Sequence, residues 1–461
     1  MCHRLTVFTC VAAAVFCARA DDVDRYIAQE SRLSGLPAVV LGVIRDGQLV
    51  DQRAAGFANL ELQVPANPDN VFEIGSISKQ FTAYAILILL EQGKIDLQSP
   101  VGAYLPELPE AWGSISLHRL LTHTSGLPDL EEAFGYGIYR ETPSDGEFMK
   151  RLQALPIEFK PGDKWQYANT NYWLLAKVIE KVSGLAYSEY MQAAIFESLG
   201  MKSTRSALPR QLLRNRASGY ERVGKVFENR DAIQPHTGRG LGDIATTVTD
   251  MALWEREQLS PRLVSAATAE LARQPVALND GSHKPYGYGW STEQLLPLST
   301  LSHDGQTAGF TAAYIRVPEK KLAAVVLINA YNGVAVEIGM VALGAIDAAL
   351  KPPRLERIPD PDPAVTARVS AILSGAASPN LEWHKDWFTE DYWRSIEPLL
   401  AVTVENNRDY GPLLSVTLVG INDADGEVTR TYRAKYESVS RIGTWRFDKE
   451  GRVSSRRSRN E

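Results

Sequence analysis

The chain opens its apolar pattern with an almost continuous run from Ala38 to Arg45, followed by a second strand-like segment from Gln48 to Asn59. Asp46-Gly47 between them is a two-residue hairpin signal, so a strand layer is expected early. From Ser76 to Gln92 the apolar residues are Phe81, Ala83, Ala85, Ile86, Leu87, Ile88, Leu89 and Leu90, and they surround the whole helical circumference before stopping at Gly93. Such a helix belongs in the centre of a domain. The region from about 115 to 255 is mostly helical in pattern, and Tyr172, Leu175, Val178, Ile179 and Val182 recur at helix spacing up to Gly184. Strand patterns return at Tyr286 to Thr292, Phe310 to Val317 and Leu322 to Asn329, with a helix near Val334 to Leu350. The expected architecture is therefore α/β or α+β: an antiparallel sheet built from both ends of the domain, flanked by helices, with an all-helical lobe inserted between.

A compositional break follows. Residues 351 to 364 hold five prolines, Pro352, Pro353, Pro359, Pro361 and Pro363, which oppose regular hydrogen-bonded structure and make a semi-rigid linker. This places a large domain at about 23 to 350 and a small one at 365 to 461. The small domain reads as helices (Ala364 to Leu373, Trp387 to Leu399) followed by strands at Leu414 to Val419, Val428 to Tyr436, Thr444 to Phe447 and Val453. That order resembles a cystatin-like α+β module. Arg452, Arg456, Arg457 and Arg459 read as a solvated basic tail.

Composition narrows the function classes. The 461 residues are 44% hydrophobic and 23% charged, with a formal net charge of -6, which leaves no basic surface of the size nucleic-acid binding demands. All three cysteines, Cys2, Cys10 and Cys17, lie at the start, where Arg4, an apolar run from Leu5 to Cys17 and Ala18-Arg19-Ala20 form the pattern of a signal peptide over residues 1 to 20. Its removal takes Arg4 and Arg19 and no acids, so the charge becomes -6 - 2 = -8 over 461 - 20 = 441 residues. A periplasmic or secreted protein, soluble after cleavage and free of cysteine, is expected. No oligomeric state is read from the chain.

The chemistry starts at Ser76-Ile77-Ser78-Lys79, at the mouth of the buried helix. Lys79 lies one helical turn from Ser76, so its amine can take the proton from a nucleophilic Ser76 hydroxyl, and apolar burial would lower the lysine pKa toward a usable base. A capping serine and a solvated lysine give the same four letters. Two further motifs weigh against that: Tyr167-Ala168-Asn169, 167 - 76 = 91 residues downstream, and Ser302-His303-Asp304-Gly305, with His303 a further 303 - 167 = 136 residues on. Tyr167 beside a lysine ammonium is expected to lose its proton more readily and act as a second base, and Asn169 to fix Lys79 and bind the acyl side of a substrate. A structural phenol and a helix N-cap are the competing roles. His303 and Gly305 sit on what reads as an edge strand, where glycine permits close backbone approach, and the amides of Ser76 and Gln306 would form an oxyanion hole. His118, His123, His236, His283 and His384 are assigned structural roles. No HExxH, HxHxDH or CxxC metal signature occurs in the mature chain, and there is no GxSxG elbow. The glycine-rich Gly238 to Gly242 lacks the dinucleotide fingerprint.

The order SxxK, YxN, HxG resembles the serine β-lactamase and penicillin-binding superfamily, in its class C-like branch of esterases, DD-peptidases and D-amino-acid peptidases. FEIGSISKQFTA at 72 to 83, LLTHTSGLPD at 120 to 129, GLAYSEYMQAAIFESLGMKST at 184 to 204, YGYGW at 286 to 290 and HDGQTAGF at 303 to 310 carry the likeness. It covers about 35 to 350. The resemblance implies an acyl-serine mechanism with Ser76 as nucleophile, Lys79 and Tyr167 managing the proton, and no metal or cofactor. One departure bears on substrate: Asp304 stands where members often carry a hydroxyl, and with His303 in place of lysine an ester, lactone or D-amino-acid amide is expected over a β-lactam. β-Lactamase or DD-peptidase action, and a binding or sensory protein on the same fold, are the alternatives.

Overall fold

The computed structural model describes residues 22–460 apart from 207–210, 224–225, 231–232, 332–333, 352–353, 376–383, 398–399, 401–403, 405–409 and 425–426. The signal-peptide pattern at 1 to 20 lies outside the described residues. The chain divides into two compact units, Met1–Arg222 with Phe227–Pro352, and Val223–Val226 with Pro353–Glu461.

The first unit is organised by a six-stranded antiparallel sheet of β1 (Ala38–Arg45), β2 (Gln48–Asn59), β3 (Val64–Pro65), β4 (Leu301–Thr307), β5 (Phe310–Val317) and β6 (Leu322–Ile328), in the order β4-β5-β6-β1-β2-β3. Both ends of the unit thus supply the sheet. Asp46 and Gly47 have φ of 50° and 73°, the left-handed pair that a tight β1–β2 turn requires. The apolar run in β1 is unbroken because β1 is central and covered on both faces. Val39, Leu41 and Val43 face helix 22–34 and the helix Ala335–Ile346, through Val23, Ile27, Ile338 and Ala342. Val40 and Ile44 join the opposite core, which contains Val248 and Met251 of the helix Val248–Leu259.

That second core continues into the helical lobe and encloses α1 (Ser78–Glu91), whose residues from Ser78 to Leu89 are all buried. Phe81 stacks on Trp254 at 4.2 Å between ring centroids. The helix stops where Gly93 takes φ 67° and its N–H, with that of Lys94, caps Leu90 and Leu89. α2 (Asn169–Ser183) packs across α1 and ends at left-handed Gly184.

One expected strand is absent. Tyr286 to Thr292 forms a loop with only isolated bridges, Tyr286 to Ser291 and Ser291 to Ser302. Gly289, at φ 72°, brings this loop's backbone against Lys79 and Gln80, an approach a Cβ would block.

The second unit carries α3 (Pro363–Gly375) and α4 (Glu390–Ile396), then β7 (Leu413–Ala424), β8 (Glu427–Tyr436), β9 (Ser440–Phe447) and β10 (Val453–Asn460), an antiparallel meander in that order. α3 packs on β7. The basic C-terminal stretch is not a tail. It is β10, paired to β9, with the Arg456 guanidinium 4.8 Å from the Trp445 ring. Its arginine and serine side chains hide the strand from a reading based on apolar alternation.

Candidate active site

Gly75–Ile77 forms a single tight turn that runs directly into α1, so Ser76 stands at the helix mouth with Lys79 one turn along. Lys79 is fully buried, and its Nζ donates to Ser76 Oγ at 3.0 Å, Asn169 Oδ1 at 2.8 Å and the Leu241 carbonyl at 2.8 Å. Asn169 opens α2 and is not its N-cap. Its own N–H is held by Asp129 Oδ1 at 3.1 Å. Burial pulls the Lys79 pKa down to about 7 against the opposing charges of Asp129, Glu131 and Asp304. In the neutral amine two N–H bonds still serve Asn169 and Leu241, and the lone pair faces the Ser76 hydroxyl. That is the arrangement of a base ready to accept the serine proton.

β4 is the edge strand, and the two-residue turn after Thr307 makes Thr307–Phe310 a hydrogen-bonded pair. By alternation, Asp304 and Gln306 turn their amides to the open edge. The Gly75 turn fits against this edge so closely that a Cβ on Gly75 would collide with the Gln306 backbone, and one on Gly305 would collide with the Ile74 carbonyl and the Ser76 amide. The close approach brings the Gln306 backbone against the Gly75 turn at the helix mouth, which leaves the Ser76 and Gln306 amides as the candidate donors for an oxyanion. Gly305→Ala is expected to wedge the strand from the turn and lower kcat about 10²- to 10³-fold, the scale of losing an oxyanion donor, with the protein still folded by circular dichroism. An unchanged kcat would rule out this pairing of amides.

Tyr167 lies over the site with its ring 4.9 Å from Lys79 Nζ, and its buried hydroxyl closes no well-formed hydrogen bond. Its pKa runs opposite to the expectation from a lysine neighbour: burial, then Asp304, push it well above the usual tyrosine value, although the nearby Ser76 hydroxyl pulls the other way. Tyr167 is a neutral phenol in the free protein, a proton donor and not a second phenolate base.

His303 is also buried, and both ring nitrogens are engaged: Nδ1 with the Asp304 carbonyl at 2.6 Å and Nε2 with Tyr286 Oη at 2.9 Å. A carbonyl only accepts, so Nδ1 carries the proton and Nε2 accepts from Tyr286. Burial holds the His303 pKa below the ordinary value. The ring, 6.2 Å from that of Tyr167 between centroids, is pinned beside the site instead of presenting a nitrogen to Ser76.

Three participants escaped the sequence reading. Leu241 supplies the carbonyl on Lys79, and the signal was the glycine density of 238 to 242, where Gly240 at φ 75° packs on the α2 backbone. Tyr286 orients His303 from the YGYGW loop. His123, assigned a plain structural role, sits at φ 57° with its ring 4.3 Å from that of Tyr167, and its Nδ1 accepts from the Ala168 amide at 3.1 Å. Outside a turn dipeptide such as Asp46-Gly47, nothing in the sequence around His123 marks its positive φ. Among the described residues no group of three or more His, Cys, Asp or Glu side chains is placed to hold a metal ion, and no helix is long and apolar enough to cross a membrane.

Comparison with known proteins agrees with this geometry. The beta-lactamase family model matches residues 23–343. A D-aminopeptidase of Gluconobacter oxydans is 26% identical over 368 residues, 75% of this chain and 69% of that one. Esterase EstB of Burkholderia gladioli is 35% identical over 205 residues, 41% of this chain, and the match spans about half, 51%, of the esterase. Among solved structures, the octameric penicillin-binding protein homologue from Pyrococcus abyssi superposes with a TM-score of 0.66 at 22% identity and covers 95% of both chains, which extends the likeness in fold to the small unit. With the family model covering most of the chain and the three motifs assembled around one buried lysine, the chain belongs to the beta-lactamase family, a serine hydrolase by descent.

Proposed function

We propose that this chain is an exported hydrolase that acylates Ser76 and acts on a small ester, lactone or D-amino-acid amide. The observation that carries the reading is the Lys79 amine, buried, bonded to Ser76 Oγ at 3.0 Å, with a pKa pulled down to about 7 by burial. Neutral Lys79 takes the Ser76 proton as Oγ attacks the carbonyl carbon, and the oxygen charge that develops falls between the Ser76 and Gln306 amides. Tyr167, protonated and beside the Ser76 hydroxyl, hands its proton to the departing alcohol or amine and is reprotonated from Lys79. Water then attacks the acyl-Ser76 ester by the same route in reverse. Tyr286 and His303 hold the aromatic wall behind Tyr167, and Asn169 holds Lys79.

The field of the site favours a neutral or amine-bearing leaving side. Asp129, Glu131 and Asp304 all act on Lys79, and Asp304 is exposed on the strand along which a substrate would lie. A carboxylate on that side meets repulsion, which disfavours β-lactams and peptides ending in a free D-alanine. The D-aminopeptidase and esterase relatives are consistent with this choice. Export rests on the signal-peptide pattern of residues 1 to 20.

A panel of p-nitrophenyl butyrate, D-alanine p-nitroanilide, a chromogenic cephalosporin and a D-Ala-D-Ala peptide tests the assignment. The ester or the D-alanine anilide is expected to exceed the other two in kcat/KM by at least about tenfold, a difference of about 1.4 kcal/mol in transition-state binding. A cephalosporin or D-Ala-D-Ala peptide turned over best would contradict it, and turnover of none would favour the binding-protein alternative.

A further inference from the structure

Asp243 is a fully buried carboxyl that none of the steps above uses, and it stands two residues from Leu241, whose carbonyl receives Lys79. Burial pushes its pKa up to about 6, so near pH 7 it is ionised and accepts on both oxygens. Oδ1 takes the Gly240 amide at 3.0 Å, and Oδ2 takes the Ser206 hydroxyl. The first bond spans Leu241 and Gly242 and closes that stretch into a tight turn. The second ties the turn to the strand Arg205–Ser206, where Ser206 is also the cross-strand partner of Ile244.

α1 grips the same turn from the side of the reaction. Thr82 Oγ1 donates to the Gly240 carbonyl at 2.7 Å, and its one proton being spent there, it accepts from Tyr187 Oη at 2.8 Å. Ser78 Oγ accepts the Ile244 amide at 3.1 Å. Lys79 thus sits in α1 between two residues that hold the turn its own amine bonds to. Neutral Lys79 spends its N–H groups on Asn169 Oδ1 and the Leu241 carbonyl, and the direction of those two bonds aims the lone pair at Ser76. A Leu241 carbonyl free to shift would let the amine turn about its last bond and lose that aim.

We propose that Asp243 is a positioning residue for the reaction: bonded to Gly240 and Ser206, it clamps the turn that fixes the Leu241 carbonyl, and through that carbonyl the lone pair of Lys79. The role rests on the hydrolase reading above and deepens it. Asp243 touches neither Lys79 nor Ser76, so the clamp acts through backbone alone.

Hydrolysis of the better of p-nitrophenyl butyrate and D-alanine p-nitroanilide, its pH profile, and urea unfolding across about pH 5 to 10 are compared in the native full chain, Asp243→Ala and Asp243→Asn. Asp243→Ala is expected to lower kcat at least about tenfold with KM within about twofold of native, the mark of a misaimed base and not of a lost substrate contact. Because the Leu241 carbonyl bonds the ammonium more strongly than the amine, its displacement also lowers the Lys79 pKa, and the acid limb of kcat/KM moves down by about half to one pH unit. Asp243→Asn keeps an acceptor for Gly240, offers Ser206 a donor and takes the Asp243 titration out of the profile; it is expected to stay within about threefold of native, its limb still near 7. A group that only supports the fold would move the unfolding midpoint and leave kcat and the limb unchanged, which overturns the proposal, as does an Asp243→Asn as slow as Asp243→Ala. If Asp243→Ala does not fold, Ser206→Ala, which frees one oxygen of the clamp, decides: a loss in kcat of at least about threefold with a lowered limb supports the clamp, and native values overturn it. Unfolding reads Lys79 without turnover, since the rise of stability with pH begins at its folded pKa, near 7 in the native chain and lower in Asp243→Ala. That shift in a native chain with no hydrolytic activity would sink the hydrolase reading and spare the clamp, whereas activity without the shift would do the opposite.

Discussion

Ser76→Ala is expected to lose at least about 10⁴-fold in kcat on any substrate the native chain hydrolyses, with the fold unchanged, because no second nucleophile stands where its hydroxyl does. The surroundings of Ser76 make the loss specific to chemistry. Its Oγ contributes one hydrogen bond to Lys79, which retains Asn169 Oδ1 and the Leu241 carbonyl after the substitution. The oxyanion donor at this position is a backbone amide and survives in the alanine variant. Near-native turnover in Ser76→Ala would mean that the helix mouth binds substrate without attacking it.

Lys79→Ala is expected to lower kcat/KM by about 10²- to 10⁴-fold, the scale of a missing general base, and Tyr167→Phe by at least about 10²-fold. The pH profile separates a base from a scaffold. The folded pKa of Lys79 is lowered from 10.5 to about 7, so the competent neutral amine accumulates as pH rises. The native kcat/KM should therefore climb with unit slope below about pH 7 and level off above it. The Tyr167 proton is held well above the ordinary tyrosine value, so no alkaline decline is expected in the neutral range. Lys79→Arg should not rescue the rate, since a guanidinium keeps its proton. The same shift links to stability: the unfolded chain holds a proton that the folded chain releases, so stability rises with pH between about 7 and 10.5, and Lys79→Ala should flatten that rise. A flat rate profile across pH 6 to 8 in the native chain would remove Lys79 as the base.

Much of the architecture was legible because burial writes itself into the chain. The unbroken apolar circumference of α1, the Asp46-Gly47 turn and the runs of β1, β5 and β6 each carry their own physical signature. The three motifs led to Ser76, Lys79, Tyr167, Asn169 and His303, which the fold gathers into one place, together with Gly305 and Gln306 on the facing strand. What stayed hidden was conformation and environment. The Tyr286 loop reads like a strand until Gly289 turns it onto α1, and β10 reads like a solvated tail until β9 pairs with it. The tautomer of His303 depends on a carbonyl one residue away, and the neutrality of Tyr167 depends on how deeply it is enclosed. Neither is a property of residue type or spacing.

The central claim is that Ser76 forms a covalent acyl intermediate with Lys79 as its base. Intact-mass spectrometry and peptide mapping after treatment with a fluorophosphonate probe test it most directly. One phosphonyl adduct per chain is expected, mapped to Ser76, forming faster as pH rises through about 7 and absent from Ser76→Ala. An unmodified native chain, or an adduct on another residue, would contradict it.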